Sequence, residues 1–461
     1  MFVSFQEVNL SRYDVIIAGS GPAGAVTAKT LAARGKTVLV LESGVREIEP
    51  TIQDSFSVVH GLGHFDSGYW PTHWVRALGG TSAVWSGWVA PLSARNFASW
   101  PITREDLDPW YDIAARELGR PELINTWEAP SVPGFDMRPF SRHEPNRYGD
   151  EAGTEIWEHE RVHVLLNATL ARVHPRPDRR GISAITVYVA PDVTTELPLS
   201  ENQSIVLAAG GMGNAQILLG SDDGTGAAVG NEFDQVGRYL MEHPHLYHCA
   251  NMVVRAGYGF PEPPAGFGGF TPALVPDDAM FEANGGIDAS FQLSPDDTNA
   301  DDAIERFVVE RLGGQADVYS LSARTEMVAD PGNRVERVFG TDPSGLPRIR
   351  ATCVVGADDY RSVLGYLRRM GDALARENLG RIRINNDVIF NDLTGGGHTV
   401  GTTRMGDNPR TSVTDADCRV HGYANLFVAG SSLFTTGGYA NPTMTIVALA
   451  ARLGDYLGGQ A

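Results

Sequence analysis

The sequence predicts an α/β protein: a parallel sheet assembled from both ends of the chain, with an inserted α+β domain built on an antiparallel sheet. Three observations lead there. The runs Tyr13–Ala18 and Thr37–Glu42 are short and nearly continuously apolar, the pattern of strands buried on both faces. A helical stretch, Ala23–Arg34, joins them into one βαβ unit. Residues 257–345 then change to a composition rich in Gly, Pro and Asp, with alternating patterning and few helical repeats.

In the first unit Val26, Ala28 and Leu31 are available to face a sheet, and Gly35 ends the helix. Further buried strands are expected at Ile205–Ala209 and Leu426–Ala429, and a helix over Asn441–Leu457. In the middle region Phe307-Val308-Val309 and Val318–Ser322 read as antiparallel strands, with a helix over Arg361–Asn378 lying across them. The division expected is 1–120, 160–245 and 395–461 for the nucleotide-binding part, and 121–159 and 246–394 for the substrate-binding part.

Composition removes several functions. The formal charge of −19 and pI near 5.0 leave no electrostatic footprint for nucleic acid or anionic lipid. No apolar run approaches the roughly 18 residues of a membrane span, and the N-terminus lacks the pattern of a signal peptide. The three cysteines, Cys249, Cys353 and Cys418, form no close pair, so a reducing, cytoplasmic setting is expected. Glycine is the skewed residue: at 52 of 461 it exceeds the usual share of about 7%. Its clusters at Gly19–Gly24, Gly79-Gly80, Gly210-Gly211, Gly395–Gly397 and Gly437-Gly438 suggest a chain wrapped around a large cofactor.

Gly19-Ser20-Gly21-Pro22-Ala23-Gly24 is G-x-G-x-x-G between a strand and a helix. The first glycine makes the turn, the second admits a pyrophosphate, and the third lets helix and strand pack closely. Glu42 ends the second strand, where a carboxylate can bind both ribose hydroxyls and would repel a 2′-phosphate. This motif alone does not separate FAD from NAD. The absence of a second such loop for a separate dinucleotide speaks against an NAD shuttle.

A second glycine loop, Leu78-Gly79-Gly80-Thr81-Ser82-Ala83-Val84-Trp85-Ser86, can run close to a flat ring and donate to its edge. Far along the chain come Gly397-His398-Thr399-Val400-Gly401-Thr402-Thr403-Arg404-Met405-Gly406, then Asn425–Ser431, then Gly437-Gly438-Tyr439-Ala440-Asn441-Pro442-Thr443. Pro442 suits the first position of a helix whose N-terminus faces an electronegative atom. In this order the motifs resemble the glucose–methanol–choline (GMC) oxidoreductase family, within it the bacterial branch near pyranose oxidase and the glycoside 3-oxidases. The resemblance covers about residues 12–120, 160–245 and 395–461.

The resemblance implies FAD. Gly19, Ser20, Gly21 and Gly24 would lie at the pyrophosphate, Glu42 at the ribose and Leu170 at the adenine. Gly79, Gly80, Ser82, Ser86, Ala209, Gly430, Ser431, Pro442 and Thr443 would complete the cofactor site. Val84 stands where pyranose oxidase carries a flavin-linking histidine, so the FAD is expected to be non-covalent. His398 resembles the family's catalytic histidine, suited as base by its ordinary pKa near 6.5, and Asn441 its partner. The implied reaction oxidises a hydroxyl of a sugar, glycoside or cyclitol, with oxygen or another acceptor reoxidising the flavin. The competing readings are a dehydrogenase of non-sugar alcohols and a flavin-binding protein without turnover.

Other residues take plainer expectations. His243-Pro244-His245 with His248 mimics a metal spacing but lacks acidic ligands beyond Glu242, so it is read as a segment at the edge of the flavin domain and no metal is expected. His421 reads as structural and Cys418 as a buried small residue. His60, His64 and His73 sit in a loop read as packed or solvated. Trp70, Trp74, Trp85 and Trp88 form either an aromatic wall beside a sugar or core.

Overall fold

Val15–Ala18 and Val38–Leu41 have no exposed residue, and such strands are stable only at the centre of a covered sheet. The computed structural model describes residues 1–53, 58–120, 129–142, 146–189, 193–258, 260, 270–296 and 303–460. It places both strands at the centre of a five-stranded parallel sheet. The order is Leu426–Val428, Ser204–Leu207, Val15–Ala18, Val38–Leu41 and Val162–Leu165. Ile17 stands opposite Val206 on one side and Val40 on the other. The helix Pro22–Ala33 crosses this sheet and packs on the final helix, Thr443–Gly458. Gly454 makes that approach close, since a Cβ there would lie 2.7 Å from Thr30 Cβ.

The second large sheet is antiparallel. Its order is Gly380–Ile384, Pro244–Arg255, Ala316–Thr325, Ala289–Pro295, Phe270–Pro276, Phe135–Arg142 and Trp88–Val89. One face carries Leu246, Ala289, Phe291, Leu321 and Ala323 and packs on Val363, Tyr366, Leu367, Met370 and Leu374 of the helix Ala357–Arg376. Each fully buried Leu, Phe, Val or Met side chain among these contributes about 1.5–3 kcal/mol. The opposite face is polar at one end, with His245 and Arg324, and lines a cavity shared with the parallel-sheet half. Alternation along the strand therefore divides core from cleft.

Most elements lie where the sequence predicts them. One does not. Phe307-Val308-Val309 belongs to the helix Ala303–Arg311, not to a strand; three apolar residues in a row carry too little period to separate the two. Among the described residues no helix is long and apolar enough to cross a membrane.

Candidate active site

The first glycine turn is backbone packed on backbone. Gly19 has φ +105°, and a Cβ there would sit 2.5 Å from Ala208 O; one on Gly24 would sit 2.0 Å from Gly19 O. No side chain fits either place. Glu42 closes the turn from the neighbouring strand. Its Oε2 accepts from Ser20 N at 3.0 Å and Ser20 Oγ at 2.6 Å, and its Oε1 from Gly44 N at 2.8 Å. Ser20 Oγ in turn accepts from Gly79 N at 3.0 Å, tying the two glycine loops together. Glu42 is buried, and burial raises its carboxyl above the usual range.

From this turn a cavity of about 570 Å³ runs to the edge of the antiparallel sheet. Gly19, Ser20, Gly21, Glu42, Gly80, Ser82, Ser86, Leu170, Ala209, Gly430, Ser431, Pro442 and Thr443 line it together with His398 and Asn441. Gly24 and Gly79 do not; they shape the turns behind it, and a Cβ on Gly79 would meet Gly149 N at 2.3 Å. The N-termini of three helices, at Pro22-Ala23, Gly210-Gly211 and Pro442-Thr443, open into the cavity. Each offers unpaired N–H groups and partial positive charge to an anion.

At the far end, Thr394-Gly395 pairs antiparallel with His245-Pro244, and Val400 and Met241 exchange backbone hydrogen bonds at 3.0 and 3.1 Å. His398 is thereby held across from His243 and His245. Their rings lie close: His398 centroid to His243 is 5.0 Å and to His245 5.8 Å. Gly396 must be glycine here, because a Cβ would fall 2.6 Å from His398 Nδ1 and 2.8 Å from His245 Nε2.

The hydrogen bonds assign the protons. His243 Nε2 lies 3.1 Å from Gly437 O, which can only accept, so that nitrogen carries the hydrogen. Burial lowers the His243 pKa to about 4 and keeps the ring neutral, leaving Nδ1 as an acceptor. His398 Nδ1, 3.0 Å away, is then the donor. The remaining nitrogen, His398 Nε2, presents a lone pair to the cavity and accepts from Asn441 Nδ2 at 3.0 Å. Burial first, then His243, His245 and Arg324, hold the His398 pKa well below the ordinary value. Glu242 ties the two backbones together: its Oε1 accepts from His243 N at 2.8 Å and from His398 N at 2.6 Å. Tyr69 Oη accepts from Gly397 N at 2.9 Å.

His243 and His245 correct the sequence reading, which put their segment at the domain's edge. Their spacing matched a metal pattern and nothing local linked them to His398, 155 residues away. Among the described residues no cluster of His, Cys, Asp or Glu is arranged for a metal. His73 lines the cavity, whereas His64 is exposed and accepts from Val355 N at 3.0 Å. Trp74, Trp85 and Trp88 line the cavity and Trp70 is core. His421 bonds Ser412 Oγ at 2.9 Å, away from the site, and Cys418 is fully buried.

A sequence profile described as GMC oxidoreductase matches residues 330–450, which hold His398 and Asn441. Full-length relatives agree with it. The chain is 27% identical to 2-methyl-1,2-propanediol dehydrogenase of Mycolicibacterium austroafricanum, over 96% of this chain and 95% of that protein. It is 25% identical to paromamine 6'-oxidase of Streptomyces fradiae, over 97% and 91%. Along its whole length the chain is thus similar to GMC oxidoreductases. It is an oxidoreductase. It is also 23% identical to the fructose dehydrogenase large subunit of Gluconobacter japonicus, over 96% and 97%. Among solved structures, pyridoxine 4-oxidase from Mesorbium loti superposes with a TM-score of 0.61 at 16% identity, covering 96% of this chain and 99% of that one. That likeness is one of fold.

Proposed function

We propose that this oxidoreductase oxidises a hydroxyl of a sugar, glycoside, cyclitol or related polyol to a carbonyl, using a non-covalent FAD and His398 as the base. The observation that carries the reading is the unprotonated Nε2 of His398, which meets Asn441 Nδ2 at 3.0 Å on the cavity wall. A hydroxyl that takes the amide's place at Nε2 loses its proton to His398, while the freed Asn441 amide donates to its oxygen. His243 keeps the proton on Nδ1 of His398, so the base is always the nitrogen that faces substrate.

The cavity suits FAD by its shape. The glycine turns admit a pyrophosphate without side-chain clash, three helix N-termini supply donors, and Glu42 and Leu170 stand at the adenosine end. FAD, when bound, supplies the hydride acceptor. Val84 lines the cavity and has no atom able to form a flavin bond, which supports a dissociable cofactor. Acid precipitation should release yellow flavin to the supernatant; colour that stays with the polypeptide would overturn this.

Relatives named for a propanediol and for fructose favour alcohols as the substrate class, sugar or not. The test is an anaerobic panel of sugars, glycosides, cyclitols and simple diols, read as flavin bleaching, followed by air to identify oxygen as acceptor. A yellow protein that no alcohol bleaches would replace this reading with flavin binding without turnover.

A further inference from the structure

Arg324 is a half-buried cation beside His398 that the proposed reaction does not use. It stands directly opposite His245 across the Pro244–Arg255 and Ala316–Thr325 strands, on the cavity-facing side of the sheet. Its Nη1 is buried and has no hydrogen-bond partner among the described residues. Other arginines differ: Arg76 pairs with Asp342 at 3.1 Å and Arg95 with Asp288 at 2.6 Å. An unpaired guanidinium cannot shed its charge and costs free energy in every folded molecule. Such a group is retained where a ligand completes it.

Its neighbours fit that role. His245 Nε2 is also buried without a partner, and His245 Nδ1 lies 3.2 Å from Tyr247 Oη. Whichever atom of that pair donates, one N–H or O–H donor is left for a ligand. The Tyr247 ring lies 6.0 Å from the guanidinium, and the His245 ring 5.8 Å from that of His398. The three groups therefore flank the reacting position, at the mouth of the same cavity.

We infer that Arg324, with His245 and Tyr247, binds a carboxylate on the substrate, so that the alcohol oxidised is a hydroxy acid such as an aldonate or a uronate. The inference rests on the alcohol-oxidising reading and sharpens its substrate class. A carboxylate is favoured over phosphate by charge count: the surrounding histidines are held neutral, leaving one cation for one negative charge. An amino sugar would be repelled. A bidentate guanidinium–carboxylate pair in this partly desolvated place favours an acid over its neutral counterpart by about 10–100-fold.

The test uses the FAD-loaded enzyme and the variant Arg324→Gln. Anaerobic bleaching is compared for gluconate and glucuronate, glucose and glucitol, glucosamine, and glucose 6-phosphate. The wild type should prefer the carboxylates over the neutral compounds by about 10–100-fold, and Arg324→Gln should bring that ratio close to one. Acetate and propanoate, which carry no hydroxyl, should saturably perturb the flavin spectrum of the wild type at constant ionic strength and not that of the variant. A neutral or phosphorylated preference, or a ratio untouched by Arg324→Gln, overturns the inference. If no alcohol bleaches the flavin, the oxidation reading fails, while the acetate titration still decides the subsite.

Discussion

The Nδ1 atoms of His243 and His398 lie 3.0 Å apart and hold one proton between them. Gly437 O decides which ring donates, because it occupies the N–H of His243 at Nε2. A backbone carbonyl thus sets the tautomer of His398, the proposed base, two hydrogen bonds away. His243→Leu removes the acceptor and should slow flavin reduction by about 10–100-fold with FAD retained. His243→Gln keeps one acceptor and one donor and should recover most of the rate. Equal losses in the two variants would show that His243 serves packing alone.

His398→Ala removes the base itself and should slow flavin bleaching by about 10²–10⁴-fold. Asn441→Ala leaves the base and removes one donor to the substrate oxygen, so its loss should be smaller. Neither side chain contacts the glycine turns, and both variants should stay yellow. A His398→Ala rate within about threefold of wild type would move the base elsewhere; His73, which also lines the cavity, would be tried next.

The legible parts of this site were those whose signal is local. The G-x-G-x-x-G turn, Glu42 at a strand end, and the His398 and Asn441 motifs each lie within a few residues of their own context. His245 and Arg324 sit on strands, and His243 just ahead of one, whose pairing with Thr394–Gly395 and with each other joins segments far apart in sequence. No window contains that relationship. Glu42 shows a subtler limit. Its position was readable, but its bonds to Ser20 and Gly44 were not, and these make it a staple of the turn as well as a ribose candidate.

The pH profile of flavin reduction should lack the ordinary histidine limb. Burial and four neighbouring groups, His243, His245, Arg324 and His73, lower the His398 pKa, so the folded enzyme holds this ring neutral at pH values where an exposed histidine has already gained its proton. The rate should therefore stay flat from about pH 8 down through 6.5, the ordinary value, with loss only at more acid pH. The stability sign is the same: the unfolded chain takes up the proton first, so this contribution is present above the ordinary pKa and lost as pH falls. A limb centred near 6.5 would mean that the base is not this buried ring.

Glu326 works in the opposite direction. Its carboxyl accepts from Gly438 N at 3.1 Å through Oε1 and from Asp288 N at 3.0 Å through Oε2. Burial, with the charge of Asp288 behind it, pushes its pKa up to about 7 from the ordinary 4.5. Between those values the folded protein keeps a proton that the unfolded chain has released, so stability contributed below pH 4.5 is lost as pH rises through about 7. At about 1.36 kcal/mol per unit the loss is of order 3 kcal/mol. Glu326→Gln cannot titrate. Its amide nitrogen cannot accept, so one of the two backbone donors loses its partner and the variant should be less stable than wild type at pH 5. Toward pH 8 wild type loses its advantage and the variant does not, so the difference in melting temperature should narrow or reverse. Parallel pH curves for the two proteins would show that Glu326 is ionised in the fold at neutral pH.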